Sequence, residues 1–308
     1  MSLPIKGVYA ATLTPLTKSL EPNIPELVKH VKWLLKSGSN GVALLGSTGE
    51  ANSMTIEQRL KIIQESTKQL PQEKLMIGTG SCAIRDSIKL TRASIDEGVF
   101  TVLVLPPFYY KPLSDESILR YFSELISNVN ESKLRIIFYN FPKLSGFNFS
   151  INILRRFKQE FGVIASGIKD SSSDWGNIIS LVQNINDFKV YAGTETFLLD
   201  TLNIGGAGCI SASANLTSIE CQKVFQAWSK KQLDIGGKEQ NKLSNLRKIL
   251  ENHPFIPELK SLLHNHSNSE TWKNMLPPFY PLLSNQILSI ENQLKEFGMD
   301  LKQCLRKT

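Results

Sequence analysis

Eight short runs of β-forming residues recur along this chain at spacings of about 25 to 35 residues, the scale of βα units. They occupy residues 7–15, 41–47, 75–80, 101–107, 135–141, 163–170, 188–193 and 208–212. The segments between them carry apolar residues at helical spacing. Residues 42–45 and 102–105 are apolar throughout, as in strands buried on both faces of a parallel sheet. The pattern also fits a doubly wound sheet, but the count of eight favours an α/β fold of the (β/α)8 TIM barrel type.

The strand pattern ends near Asn215, and three predicted helices follow at residues 218–231, 238–251 and 284–305. We therefore predict a (β/α)8 barrel catalytic domain over residues 1–215 and a C-terminal helical extension over residues 216–308. Within the barrel, the helix over residues 25–35 is predicted to end near Gly38, and Thr55 is predicted to cap the next helix.

The charge balance does not indicate a nucleic-acid surface. The chain has 35 Lys and Arg against 28 Asp and Glu, a formal net charge of +7. The excess lies mainly after residue 222, at spacings that suit exposed helix faces. The residues concerned are Lys223, Lys230, Lys231, Lys238, Lys242, Arg247 and Lys248. Because no zinc-finger, RNP or basic-zipper pattern accompanies them, we expect a solvated helical surface and no nucleic-acid partner.

Cysteine usage and the N-terminal sequence indicate a cytoplasmic protein. Cys82, Cys209, Cys221 and Cys304 are scattered without the spacing of a metal site or a disulfide framework. The N-terminal residues lack the charged and apolar regions of a secretory leader, and no apolar run reaches membrane-spanning length. We expect reduced thiols, no metal site and no membrane partner.

Two strand-end residues indicate chemistry. Lys169 ends the sixth run, and Tyr139 lies at the end of the fifth. In a barrel the carboxyl ends of the strands form the one concave, loop-built face, so both side chains are expected at the same rim. A lysine among apolar residues is poorly hydrated, which favours the uncharged amine that can attack a ketone, and a tyrosine can carry protons beside it. Taken singly, such residues are more often a solvent-facing lysine and a packed tyrosine.

A third feature of this rim is the Gly-Ser-Thr-Gly-Glu run at 46–50, after the second strand. The hydroxyls of Ser47 and Thr48, with free backbone amides ahead of a helix, form a receptor for a small carboxylate. A plain capped turn is the alternative, and a Walker phosphate loop is excluded because no Gly-Lys-Ser/Thr follows. An amine, a phenol and a carboxylate receptor together are what an enzyme needs to form an imine with a 2-oxo acid.

On these motifs the chain resembles the dihydrodipicolinate synthase and N-acetylneuraminate lyase superfamily of class I, Schiff-base-forming aldolases. The resemblance covers about residues 5–300. It rests on the runs at 46–50, Tyr-Asn-Phe-Pro at 139–142, Gly-Ile-Lys-Asp at 167–170 and Gly-Cys-Ile-Ser-Ala at 208–212. It implies a barrel with C-terminal helices, a homotetramer, and a lyase that needs no metal or organic cofactor. Its partners would be pyruvate and a small aldehyde or sugar-acid substrate.

The resemblance also implies catalytic roles. Lys169 would form the imine with pyruvate, and Tyr139 would relay protons to and from the aldol oxygen. Ser47 and Thr48 would hold the pyruvate carboxylate. Tyr109 matches a tyrosine that family members insert into a neighbouring subunit's site to complete the proton relay.

Further substrate contacts are implied beyond the imine. Ser171 matches a sugar-binding hydroxyl, and the main-chain carbonyl of Ile210 would lie near the lysine amine. Gly193 ends the seventh strand, and Glu195 keeps one acid of the Asp-Glu pair with which sialic acid lyases bind the polyol. Ala212 replaces an expected serine, so sialic acid itself is not the expected substrate.

Departures from the family concern the second substrate and regulation. Dihydrodipicolinate synthases carry an arginine for aspartate semialdehyde where this chain has Leu144, which cannot pair with a carboxylate. Lys143 is the obvious substitute, although its side chain is expected to point elsewhere. Ile56, Arg59 and Cys82 replace residues of the feedback site, so we predict no inhibition by L-lysine.

We therefore expect a pyruvate-dependent class I aldolase or lyase that forms a Schiff base and acts on a 2-keto-3-deoxy sugar acid or a related hydroxylated 2-oxo acid. The alternatives are 4-hydroxy-tetrahydrodipicolinate (dihydrodipicolinate) synthase, a dehydratase using the same imine, and a non-catalytic binding protein on the same scaffold. The last is disfavoured because Lys169, Tyr139, Thr48 and Tyr109 are all present.

Overall fold

Eight parallel strands, hydrogen-bonded in chain order, close into a barrel in the computed structural model, which describes residues 6–267 and 269–302. The strands are β1 (Gly7–Ala11), β2 (Gly41–Leu44), β3 (Leu75–Gly78), β4 (Thr101–Val104), β5 (Arg135–Asn140), β6 (Ala165–Asp170), β7 (Lys189–Ala192) and β8 (Gly208–Ser211). Each lies within one of the eight predicted runs, and β8 pairs with β1. The predicted (β/α)8 barrel is confirmed.

Helices connect the strands and continue beyond the last one. In chain order they are α1 (Ile24–Lys36), α2 (Ile56–Ser66), α3 (Ile84–Asp96), α4 (Asp115–Val129), α5 (Pro142–Ser145), α6 (Ile151–Phe161), α7 (Trp175–Asn184), α8 (Leu198–Asn203), α9 (Ala214–Ser229), α10 (Leu233–Ile249), α11 (Phe255–His266) and α12 (Ser284–Glu296). Helix α2 begins where the sequence predicts, because the Thr55 side chain accepts from Gln58 N and the Gln58 side chain accepts from Thr55 N.

The barrel separates two apolar layers. Alternate strand residues point inward and fill the barrel with large side chains, among them Tyr9, Met76, Leu103, Tyr139 and Tyr191. The outward-facing residues pack against the surrounding helices in a second, larger cluster. Because the interior is packed with side chains, a small molecule can be bound only at an end of the barrel.

The C-terminal helices differ most from the sequence-based expectation. Helix α11 was not predicted, because Pro254 and Pro257 resemble loop residues. Pro254 is the N-cap and Pro257 lies in the first turn, where no intrahelical N–H bond is needed. Helix α12 ends at Glu296, two residues before Gly298, whose φ is +75°. Residues 303–305 of the predicted helix, and with them Cys304, lie outside the described residues.

Three further expectations concern the domain division, the cysteines and membrane-spanning helices. The division into two units at residue 215 stays a proposal, and α9 begins at Ala214. Among the described cysteines, Cys82 is exposed, Cys209 and Cys221 are buried, and all three are free thiols. In the described ranges, no helix has the length and apolar character to cross a membrane.

Candidate active site

The lysine and tyrosine at the strand ends are direct neighbours. Tyr139 of β5 pairs in register with Lys169 of β6, and the lysine Nζ lies 4.3 Å from the centroid of the tyrosine ring. Each residue is 4% exposed. The parallel register therefore holds an amine and a phenol side by side in a place that excludes most water.

A glycine in β6 helps to set the position of this lysine. The register between β5 and β6 shifts by one residue between Ile136 and Ile137, as in a β-bulge. Two residues before Lys169, a Cβ built on Gly167 would lie 2.3 Å from the backbone oxygen of Lys189 in β7. Only glycine allows β6 to approach β7 this closely, so Gly167 contributes to the placement of Lys169.

A cavity of about 520 Å³ opens at the carboxyl ends of the strands. Six residues predicted for the site line it: Ser47, Thr48, Tyr139, Lys169, Ser171 and Gly193. Apolar side chains form much of the remaining wall: Phe141, Leu144, Ile178, Phe197, Phe255, Ile256 and Phe279. A cavity of this size suits a small metabolite larger than a three-carbon acid.

The turn that carries the Ser47 and Thr48 hydroxyls is held in place by a buried ion pair. Ser47 and Thr48 belong to a 3-10 turn (Ser47–Gly49) that follows β2. The next residue, Glu50, is fully enclosed and accepts hydrogen bonds of 2.6 Å from Lys260 Nζ and from Leu276 N. Burial lowers the pKa of Lys260, against the opposing effect of the Glu50 carboxylate. This buried pair connects the turn to α11 and leaves the two hydroxyls at the cavity.

Hydrogen bonds to the Asp170 carboxylate hold the loop after Lys169. Asp170 Oδ1 accepts from Asn140 Nδ2 at 2.7 Å, and Oδ2 accepts from Ser172 Oγ at 2.9 Å and from Asn177 Nδ2 at 3.2 Å. These bonds join the end of β5, the end of β6 and the start of α7. The Asp170 carboxylate therefore orders the rim.

Tyr109 and Ile210 lie away from the cavity lining. Tyr109 is 76% exposed, and its ring contacts that of Tyr110 with centroids 5.2 Å apart. Within one chain it does not line the cavity. Ile210 is fully buried in the barrel interior and pairs with Tyr9 across β8 and β1.

Glu195 also does not reach the cavity, although the sequence placed it among the substrate-binding residues. Its side chain is fully enclosed. Its Oε2 accepts from Arg247 Nη1 at 3.0 Å and from Ser211 Oγ, and its Oε1 accepts from Ser213 Oγ. The Glu195 carboxylate does not reach the cavity because Arg247 and the two serine hydroxyls hold it behind the cavity wall.

Two basic residues take positions that the sequence did not predict. Lys143, expected to point elsewhere, lines the cavity beside Leu144. Arg247, assigned to an exposed helix face, is only 8% exposed and also lines the cavity. Lys223 and Lys248, by contrast, are exposed as predicted.

The C-terminal helices supply cavity residues that the sequence analysis missed. Glu251 and His253 follow α10 and line the cavity. Burial raises the pKa of the nearby Glu258 carboxyl to about 8. Its Oε2 accepts from His253 N at 3.2 Å, whereas its Oε1 has no partner among the described residues. The only sequence signal was the i,i+4 spacing of Arg247 and Glu251, which is equally common on exposed helices.

A metal site would need several ligating side chains in one place. Within the described part of the chain, no group of three or more His, Cys, Asp and Glu residues could hold a metal ion. The cavity presents an amine, a phenol, hydroxyls and both basic and acidic side chains, which suit covalent and proton-transfer chemistry on an oxo acid.

The chain is similar in sequence to known proteins over most of its length. The dihydrodipicolinate synthetase family model matches residues 4–297. An uncharacterized DapA-like lyase of Chloroflexus aurantiacus is 30% identical over 292 residues, covering 92% of this chain and 94% of that protein. A 4-hydroxy-tetrahydrodipicolinate synthase of Desulforudis audaxviator is 28% identical over 252 residues, covering 81% of this chain and 84% of that protein.

Solved structures show the same fold. Dihydrodipicolinate synthase from Agrobacterium tumefaciens has a TM-score of 0.85 and 25% identity, covering 95% of this chain and 99% of that one. YagE of E. coli K12, solved in complex with pyruvate, has a TM-score of 0.87 and 24% identity, and the match covers 96% of this chain and 99% of YagE. The family match spans nearly the whole chain, which therefore belongs to the dihydrodipicolinate synthetase family of aldolase-type lyases.

Proposed function

We propose that the chain is a pyruvate-dependent class I aldolase that cleaves or forms a 2-keto-3-deoxy sugar acid or a related hydroxylated 2-oxo acid. The contact between Lys169 Nζ and the Tyr139 ring, both buried and both lining the 520 Å³ cavity, is the main support. The hydroxyls of Ser47 and Thr48 on the same cavity offer a place for the carboxylate of a 2-oxo acid.

In the proposed mechanism the uncharged Lys169 amine attacks the C2 carbonyl of pyruvate, and loss of water gives the imine. Transfer of a C3 proton to the imine nitrogen gives an enamine, whose C3 attacks the aldehyde carbon and forms the new carbon–carbon bond. Tyr139 gives a proton to the resulting alkoxide, and hydrolysis of the iminium by water then releases the product from Lys169 and returns a proton to Tyr139. Cleavage follows the same steps in reverse, with Tyr139 taking the hydroxyl proton.

The apolar side chains near Leu144 disfavour the carboxylate of aspartate semialdehyde. Leu144 offers no charge, and Phe141 lies near it on the wall. One observation supports dihydrodipicolinate synthase as a second candidate: Lys143 lines the cavity and forms no ion pair within the described residues. A free ammonium there could bind the carboxylate of aspartate semialdehyde.

An acceptor panel separates the two candidates. Pyruvate is supplied with glyceraldehyde, N-acetylmannosamine or aspartate semialdehyde, and kcat/KM is measured for each. We expect glyceraldehyde or a longer hydroxylated aldehyde to give the highest value. A preference for aspartate semialdehyde that is lost in Lys143→Ala, but not in the surface control Lys133→Ala, would establish the synthase instead.

A further inference from the structure

The C-terminal wall of the cavity holds a guanidinium that is fixed on three sides. Arg247 Nη1 donates to Glu195 Oε2 at 3.0 Å and to Ser213 Oγ at 2.9 Å. Its Nε donates to Glu251, four residues further on. The guanidinium carbon also lies 4.2 Å from the centroid of the Phe255 ring. The orientation of this group is therefore set before any substrate binds.

The remaining edge of the guanidinium is available to a ligand. Arg247 Nη2 makes no hydrogen bond to any described residue. It is also not one of the fully buried atoms without a partner, so part of its surface is accessible. Arg247 is 8% exposed and lines the cavity, and its Nε and Nη1 are already engaged by protein groups, so Nη2 is the nitrogen left for a ligand. Beside it, Glu251 uses Oε1 for Arg247, and its Oε2 has no hydrogen bond within the described residues. The Glu251 side chain is 46% exposed and also lines the cavity.

The charges around this edge decide which ligand it suits. Arg247 contacts two carboxylates, those of Glu195 and Glu251, so its positive charge is already balanced. An anionic group placed there would meet both carboxylates and be repelled. A neutral hydroxyl can accept from the guanidinium and donate to the carboxylate at the same time.

We propose that Arg247 and Glu251 are a hydroxyl-binding pair for the second substrate, with Arg247 Nη2 as donor and Glu251 Oε2 as acceptor. This inference rests on the proposed function and narrows it, because the aldehyde bound here carries hydroxyl groups and no charge at its far end. The pair belongs to the C-terminal helical region, so this region selects the second substrate while the barrel strands bind pyruvate.

The test compares aldehydes of equal length with and without hydroxyl groups. The kcat/KM with pyruvate is measured for glyceraldehyde against propanal and for erythrose against butanal, and each pair gives a hydroxyl preference ratio. The variants are Arg247→Lys and Glu251→Ala. The matched controls are Arg156→Lys and Glu116→Ala, which alter an arginine–glutamate pair on the outer surface. Borohydride trapping of pyruvate on every variant reports separately on imine formation.

The wild type is expected to prefer the hydroxylated aldehyde, and each cavity variant is expected to lower that ratio by about tenfold to a hundredfold. The surface controls should leave it unchanged. If Arg247→Lys fails to fold because Glu195 loses its partner, Glu251→Ala still decides the question. Normal pyruvate trapping with no hydroxyl preference, or with an unchanged ratio in Glu251→Ala, would overturn the hydroxyl-binding pair alone. Absence of trapping in the wild type would instead overturn the proposed function.

Discussion

At the scale of single residues, strand register defines the position of the proposed reactive lysine and its neighbour. Lys169 and Tyr139 face each other across β6 and β5, and an amine buried against a phenol has few structural uses. The sequence predicted both because each ends an apolar run. Their 4.3 Å contact could not be predicted, because the register depends on the bulge at Ile136 and the close approach at Gly167.

The phenol hydroxyl is testable by removing a single oxygen. Tyr139→Phe keeps the ring against Lys169, so folding should be retained while the proton relay is lost. We expect kcat to fall by about a hundredfold to ten-thousandfold. Tyr121→Phe is the matched control, since its buried hydroxyl binds Ser87 and the Ser81 carbonyl. An unchanged kcat in Tyr139→Phe would contradict the assigned role.

Glu258 gives the fold a pH dependence of known sign. Its pKa rises from 4.5 to about 8 on burial, so the folded state holds a proton that the unfolded state releases. The resulting stability is fully present below pH 4.5 and is lost as the pH rises through about 8. The slope is at most about 1.4 kcal/mol per pH unit.

Glu258→Gln stays neutral and can still accept from His253 N. Thermal unfolding from pH 5 to 9 should therefore show the variant gaining stability relative to the wild type as the pH rises. Parallel stability curves for the two proteins would refute this assignment.

At the scale of elements, the strands were predicted well and the C-terminal helices less so. Period and apolar content identify a buried strand directly, so all eight runs were found. Where an appended helix packs depends on contacts distant in sequence, which explains the wrong position of Arg247. The omission of α11 has a local cause instead, the two prolines at its start. Glu195 was misplaced for the same reason as Arg247, because its partner lies 52 residues further along the chain.

The buried pair between Glu50 and Lys260 should be the strongest link between the barrel rim and α11. Both side chains are fully enclosed, and Lys260 also donates to the Thr14 carbonyl at 2.9 Å. Lys260→Met would leave the Glu50 carboxylate buried without its partner. We expect a loss of about 3–5 kcal/mol in the free energy of unfolding, measured by urea denaturation. A cost like that of the exposed Lys68→Met would show that the pair does not anchor the turn.

At the scale of the whole molecule, the position of Tyr109 bears on assembly. Tyr109 is exposed in one chain, and we propose that it completes the site of a neighbouring subunit in a homotetramer. Sedimentation shows whether the active species is an oligomer. Tyr109→Phe should then lower kcat without changing the oligomeric state, and full activity in a monomer would contradict the proposal.

Feedback inhibition by L-lysine is not expected. Arg59 is buried, and its guanidinium donates to the carbonyls of Gly78 at 3.0 Å and Gly80 at 3.1 Å. Because the Arg59 guanidinium is large, positively charged and held by these carbonyls, its position does not suit a binding site for the cationic amino acid L-lysine. Steady-state rates across a range of L-lysine concentrations should be unchanged, and saturable inhibition would overturn this expectation.

The covalent step at Lys169 is the central claim, and borohydride trapping tests it most directly. The full-length protein is incubated with pyruvate and borohydride, and its intact mass is compared with that of Lys169→Ala treated in the same way. We expect the wild type to gain the mass of one reduced pyruvate adduct, located on Lys169 by peptide mapping, and the variant to gain none. No adduct on the wild type, or an adduct that survives in Lys169→Ala, would contradict the proposed Schiff-base mechanism.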